Sequence, residues 1–203
     1  WNAALCRIKK GIKKMRKLCA DFHTHTTYCD GKSTPRQMVE AAYSMGLTDF
    51  GISGHADYSM WEPGFGMSDA ILSSYKQELE ILREEYAGKM NIYIGIELDT
   101  LGPVQQAEYA IGSTHSILKD GHLVTVDDTE EKLVQAVETL WNGDWYAMAR
   151  DYFELEATVY DKLHCDWVGH FDLITKFNEG YRYFDESSDA YLEPALAAMK
   201  KLH

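Results

Sequence analysis

Cysteine is scarce in this chain. Four residues, at positions 6, 19, 29 and 165, carry a thiol, and no two form a Cys-x-x-Cys pair. No secretory signal precedes them. The pattern argues against a disulfide scaffold and predicts free thiols in a reducing, cytoplasmic compartment. Long apolar runs are missing too. Nothing approaches about eighteen consecutive apolar residues, so no membrane-spanning helix is expected. Positive charge is short, with 20 Lys+Arg against 32 Asp+Glu and a net charge of -12. That imbalance argues against wrapping a nucleic-acid backbone. Internal repeats, low-complexity tracts and linker-like stretches are also absent. The apolar fraction is 45% over 203 residues, enough to bury the core of one domain.

The basic residues that do occur cluster at one end. "WNAALCRIKKGIKKMRKL", residues 1–18, holds seven of them and no acid. A membrane-surface or targeting helix is one reading. The simpler one is an accessory extension over residues 1–15, with Met15 the natural start of a domain spanning 16–203.

From residue 18 onward, short apolar runs alternate with longer helical patterns, which predicts repeated βα units and a mostly parallel sheet. Strands are expected at 18–22, 48–53, 91–99, 107–116 and 165–173. Helices are expected after Thr34, over about 69–87, 129–141 and 144–162, and from about Ser188 to the end. Thr34, Pro35 and Gln37 form a capping box with proline at the first helical position, and Gly46 stops that helix. Asp128 and Glu131 read as a second capping box. The loop "GHADYSMWEPGFGMS" is long enough to line a site.

Chemistry-bearing groups recur where these strands end. His23 and His25 close the first, His55 the second, Glu97 the third, His115 the fourth and His170 the fifth. Asp30 joins them from a turn in "CADFHTHTTYCDG", where Gly31 permits a sharp bend. A single histidine after a strand is more often a loop residue satisfied by the backbone. Six groups at five successive strand ends are different, because burying that many unpaired imidazoles and carboxylates costs several kcal/mol. In α/β folds that edge of the sheet is where functional groups gather. Residues i and i+2 of a strand point the same way, so His23 and His25 face one site while Thr24 faces away. The two oxygens of Glu97 can bridge ions. An imidazole–carboxylate set without cysteine favours Zn²⁺, Mn²⁺ or Fe²⁺ in a multinuclear catalytic site. Such ions make hydroxide from water near neutral pH and neutralise a transferring phosphoryl group.

These motifs resemble those of the PHP (polymerase and histidinol phosphatase) family, on its histidinol-phosphatase branch. "DFHTHTTYCDG", "ISGHAD", "GIELD", "YAIGSTHSI" and "DWVGHFDLITKFN" match five family motifs in order over about residues 16–203, and the last two extend well beyond the ligands. The resemblance implies a distorted (β/α)7 barrel and a centre of three divalent ions. His23 and His25 would bind one ion, with Glu97 bridging to a second. His115 and His170 would complete the second, and Asp30 and His55 would hold a third. A metal-bound hydroxide, held by Glu97, His23, His25 and His55, would attack phosphorus. The family also brings an Asp-x-His pair and a phosphate-binding arginine from its C-terminal region. "SSDA" at 187–190 sits too early for that pair, and the chain ends at "EPALAAMKKLH". The expectation is therefore a barrel lacking its last strands.

The implied activity is hydrolysis of L-histidinol phosphate to L-histidinol and phosphate, a late step of histidine biosynthesis. The alternatives are a PHP-type phosphoesterase or exonuclease on another substrate, or an inactive metal-binding remnant. A small phosphate ester is the expected partner, with no nucleic acid and no membrane. Asp21 and Asp172 are candidates to orient imidazoles, with plain surface carboxylates the equal alternative. Asp57 and Asp99 are candidates to favour a substrate amine. Tyr58, Trp61 and Phe65 either cover a small substrate or fill the barrel mouth. His122, His164 and His203 read as solvated, and Cys29 and Cys165 as small packing residues.

Overall fold

The computed structural model describes residues 19–202. The basic extension at 1–15, Met15, Cys6 and His203 lie outside the described residues. Five parallel strands form one sheet in the order β1 (Ala20–Asp21), β2 (Asp49–Ile52), β3 (Asn91–Asp99), β4 (Tyr109–Ser113) and β7 (Trp167–Val168). A two-stranded antiparallel hairpin, β5 (Ser116–Lys119) and β6 (His122–Thr125), stands apart from it.

The helices begin where the local chemistry starts them. Before α1 (Pro35–Met45), the Thr34 side chain accepts from Gln37 N and the Gln37 side chain accepts from Thr34 N. Gly46 then adopts the left-handed conformation that ends the helix. Ser68 caps α2 (Asp69–Glu85), whose inward face buries Leu72, Tyr75, Leu79 and Leu82. The middle of the sheet carries the matching surface. Ile92, Ile94, Ile96 and Leu98 alternate along β3 and pack with the inward residues of α1 and α2 in one core. A second core joins the hairpin, α3 (Glu130–Leu140), α4 (Trp145–Glu156) and α6 (Asp189–Leu202) through Ile117, Val137, Met148, Phe153 and Tyr191.

The other face of β3 presents Tyr93, Gly95, Glu97 and Asp99. Its lower half is filled by aromatic rings, with Phe22 in contact with Tyr93, Tyr109 and Trp167. Gly95 is required by that plug, because a Cβ there would lie 2.1 Å from Tyr109 Cζ. The plug seats the Glu97 carboxylate on an apolar floor.

Several elements differ from the sequence pattern. The run 107–116 holds β4 and only the first residue of β5, with a break at Thr114 and His115. Farther on, Asp120 and Gly121 both take positive φ and turn β5 back into β6. The predicted strand 165–173 pairs only at 167–168 and then turns into a short 3-10 helix, Leu173–Thr175. The predicted strand at 18–22 forms ladder pairs only at Ala20 and Asp21. The helical run 144–162 breaks after Glu156, and α5 (Val159–Leu163) follows as a separate helix. Thr129, not Asp128, caps α3. Asp128 instead pairs with Lys132 Nζ at 2.5 Å.

Candidate metal centre

His23 and His25 follow β1 on a segment pinned to β2 by single bonds. Thr24 Oγ1 donates to Gly51 O at 2.9 Å, and Ser53 N donates to Thr24 O at 2.9 Å. With Thr24 engaged on that side, both imidazoles face Glu97. Gly31 closes the next loop by close approach, since a Cβ there would sit 2.4 Å from Thr26 N. That contraction swings Asp30 back toward His25. His55 follows β2 through a bridge to Glu97. His115 lies between β4 and β5, and His170 lies just past β7.

All seven predicted groups come together, arranged around one carboxylate. Glu97 is 1% exposed. Its Oε1 lies 3.2 Å from His23 Nε2, 3.2 Å from His170 Nε2 and 3.4 Å from His115 Nε2. Its Oε2 lies 3.2 Å from His25 Nε2 and 3.1 Å from His55 Nδ1. Asp30 Oδ1 stands 3.2 Å from His25 Nδ1 and 3.6 Å from His55 Nε2. His23 and His25 thus face different oxygens of Glu97, whereas the family resemblance assigns them to one ion.

Asp99 and Cys29, which the sequence pattern gave other roles, and Ser113, which it did not single out, support the cluster. Asp99 Oδ2 accepts from the His115 backbone N–H and lies 3.0 Å from its Nδ1, while Asp99 Oδ1 accepts from Leu101 N. Both oxygens are engaged within the fold, and Asp99 orients His115. Ser113 Oγ donates to Glu97 Oε1 at 2.7 Å. Cys29 Sγ lies 3.5 Å from His25 Nδ1, so it is more than a packing residue. Asp21 receives the His23 backbone N–H rather than an imidazole. Asp57 accepts from Ser59 N within its own loop.

The electrostatics favour a cation. Burial lowers the pKa of His25, but Asp30, Cys29 and Glu97 outweigh it and push it up to about 12. His115 is likewise lowered by burial yet driven to about 10 by Asp99 and Glu97. Burial dominates at His55 and lowers it. Burial would raise Glu97, but the surrounding histidines hold it well below the usual carboxylate range. The Cys29 thiol is lowered because His25 outweighs its burial.

The donor set fits divalent ions. Two ligands bound at about 2.1 Å from one ion stand about 3.0–3.4 Å apart at octahedral or tetrahedral angles. The five nitrogens around Glu97 lie 3.1–3.4 Å from its oxygens. Glu97 Oε2 is buried without a hydrogen-bond partner although two ring nitrogens are near it, and His170 Nδ1 is also unpartnered. A buried carboxylate oxygen flanked by two ring nitrogens at 3.1–3.2 Å leaves a place for a cation between them. His23, Glu97 and His170 form one group of mutually close ligand atoms, His25, His55 and Glu97 a second, and His25, Cys29 and Asp30 a third.

The cluster opens into a cavity of about 360 Å³. His55, Glu97, His115 and Asp30 form one wall, and Tyr58 and Phe65 another. Asp127, Asp128, Lys132 and Lys176 close it. Trp61 instead donates Nε1–H to Leu101 O.

A model of the PHP domain matches residues 21–201. The chain belongs to the PHP domain family. This PHP chain is 28% identical over 176 residues to a probable histidinol-phosphatase of Deinococcus radiodurans, covering 80% of this chain and 64% of that protein. It is 26% identical over 192 residues to a histidinol-phosphatase of Bacillus subtilis, covering 80% and 69%. It therefore spans just under two thirds of the Deinococcus relative. Among solved structures, a protein of Listeria monocytogenes assigned as a histidinol phosphatase superposes with a TM-score of 0.72 at 23% identity, over 90% of this chain and 79% of that one. The histidinol phosphate phosphatase of Lactococcus lactis, solved with zinc, L-histidinol and phosphate, superposes with a TM-score of 0.54 at 22% identity, over 77% and 59%. These likenesses establish the fold as the PHP-type distorted barrel, of which the described residues form five parallel strands.

Proposed function

We propose that this PHP chain carries the metal centre of a phosphomonoesterase that hydrolyses L-histidinol phosphate to L-histidinol and phosphate, in histidine biosynthesis. The observation that carries the reading is Glu97, buried and ringed by five imidazole nitrogens at 3.1–3.4 Å, at the wall of a cavity. The relatives' names point to the same substrate.

Each residue has a role in that reading. His23, His170 and Glu97 would hold one ion and His25, His55 and Glu97 another, with His115 beside Glu97 as a further ligand. Asp30, near both His25 and His55, would contribute to a third. Zinc, manganese or iron ions bound there would supply positive charge for a phosphoryl group and acidify water at neutral pH. With an ion bound, Asp99 would keep the remaining His115 proton on Nδ1 and leave Nε2 for the metal. Tyr58 and Phe65 form a low-polarity wall for the organic part of a small ester and exclude water beside the carboxylate. The cavity volume suits a small molecule, and the net charge of -12 disfavours a DNA substrate. Cys19, Cys29 and Cys165 carry free thiols, which is compatible with a cytoplasmic location. Among the described residues no helix is long and apolar enough to cross a membrane.

The test is phosphate release from L-histidinol phosphate by the metal-loaded chain, with a His23→Ala control and 3′-labelled DNA in parallel. Turnover of the small ester that is lost in the control supports the reading. Release no greater than the control, or cleavage of the DNA alone, ends it.

A further inference from the structure

A phosphate ester carries negative charge, yet most charged groups lining the cavity are acids. The cations that line it are Lys132 and Lys176. They differ in how their charge is held. Lys132 lies on the outer surface of α3 with its side chain 68% exposed, and its ammonium is cancelled by Asp128 at 2.5 Å, one turn back. Lys176 is 44% exposed. Its Nζ donates at 2.7 Å to the backbone carbonyl of Asp127, while the Asp127 carboxylate stands farther off at 3.5 Å. The carbonyl fixes the position of the ammonium, the longer pair with the Asp127 carboxylate neutralises it less than the 2.5 Å pair at Lys132, and a third N–H donor remains for a ligand.

The backbone around Lys176 is also fixed relative to the metal centre. Leu173 N donates to His170 O at 3.2 Å, and Thr175 N donates to Asp172 O at 2.9 Å. Lys176 N then donates to Leu173 O at 2.9 Å. One tightly turned segment therefore delivers His170 to Glu97 and Lys176 to the lining of the cavity that Glu97 also lines. Resting on the phosphoesterase reading above, we infer that Lys176 is the phosphate-anchoring residue of this site, donating to a phosphoryl oxygen turned away from Glu97. Lys132 contributes little.

The experiment measures calorimetric binding of inorganic phosphate to the full, metal-loaded chain. Lys176→Gln decides, because glutamine can still donate to Asp127 O and keep the loop in place while the charge is lost. Phosphate affinity is expected to fall about tenfold or more, the scale of a charge-assisted hydrogen bond. Lys176→Arg should stay within a few-fold of the parent and Lys132→Gln near it, with metal content equal in all. The inference is overturned by phosphate binding in Lys176→Gln within twofold of the parent, by a larger loss in Lys132→Gln, or by no phosphate binding to the parent. Hydrolysis of L-histidinol phosphate is assayed alongside. Lys176-dependent phosphate binding without turnover keeps the anchor and removes the substrate reading, whereas turnover insensitive to Lys176→Gln removes only the anchor.

Discussion

Asp99 holds His115 twice, through its backbone N–H and its Nδ1. The negative charge steadies an imidazolium or a metal-bound ring alike, and an amide does neither as well. Asp99→Asn is therefore expected to weaken metal binding about 10–100-fold, as read by competition with a chromophoric chelator. Unchanged affinity would remove Asp99 from the support of the centre. Glu156 makes a different case. It sits on α4, 1% exposed, with Oε2 unpartnered. Burial pushes its pKa up to about 7. The folded chain thus prefers the neutral acid, while the unfolded chain ionises near 4.5. Stability on this account is undiminished below the unfolded value and is lost as pH rises toward and beyond 7, by about 3 kcal/mol. Glu156→Gln should therefore raise the Tm of the chelated chain at pH 8 and leave it nearly unchanged at pH 4. An equal shift at both pH values would contradict the assignment. Six of the seven ligand candidates were legible because each ends an apolar run, and Asp30 because a glycine turn follows the first pair of histidines. Asp99, Ser113 and Cys29 were not. Asp99 and Ser113 depend on the β3–β4 register that sets them side by side, and Cys29 on a loop closure at Gly31.

The elements were legible where their stop and start signals are local. Thr34, Pro35, Gln37 and Gly46 delimit α1 within four residues of each boundary, and the structure follows them. Asp120-Gly121 was an available hairpin signal inside "SILKDGHLVT", obscured by the apolar run before it. The shortness of β7 had no such signal, since pairing there depends on β4 alone. Gly95 shows how one element constrains its neighbour. The Tyr109 ring crosses it, and the Tyr109 hydroxyl donates to Phe22 O at 2.7 Å, tying β4 to the segment after β1. Gly95→Ala drives a methyl into that ring and should cost about 1–3 kcal/mol. Tyr109→Leu removes the clash along with the tie, so the double variant should be destabilised by less than the sum of the singles. Denaturant unfolding of the four proteins gives the coupling, and strict additivity would mean that the ring does not brace the sheet through Gly95.

At the scale of the whole molecule, two cores meet at a cluster that carries more charge than apolar packing can offset. Without ions, protons must serve in their place. His25, at about 12, and His115, at about 10, are cationic at neutral pH. Their raised values stabilise the metal-free fold fully below the ordinary histidine value of 6.5, and that contribution is lost as pH climbs through about 10 and then 12. An ion at 100 times its Kd adds about 2.7 kcal/mol, so chelation should lower the Tm by about 5–10 °C for a chain of this size. The exchange of cations also has a direct signature. An imidazole cannot ligate through a nitrogen that bears a proton, so zinc must displace the protons on His25 and His115 as it binds. Zinc added to the chelator-free, metal-free chain in weak buffer at pH 7 should therefore acidify the solution, and zinc affinity should rise with pH across the neutral range. His115→Ala should release fewer protons per ion bound. Zinc binding at pH 7 with no proton release would mean that these two rings do not face the ion, and the cluster around Glu97 would need another occupant.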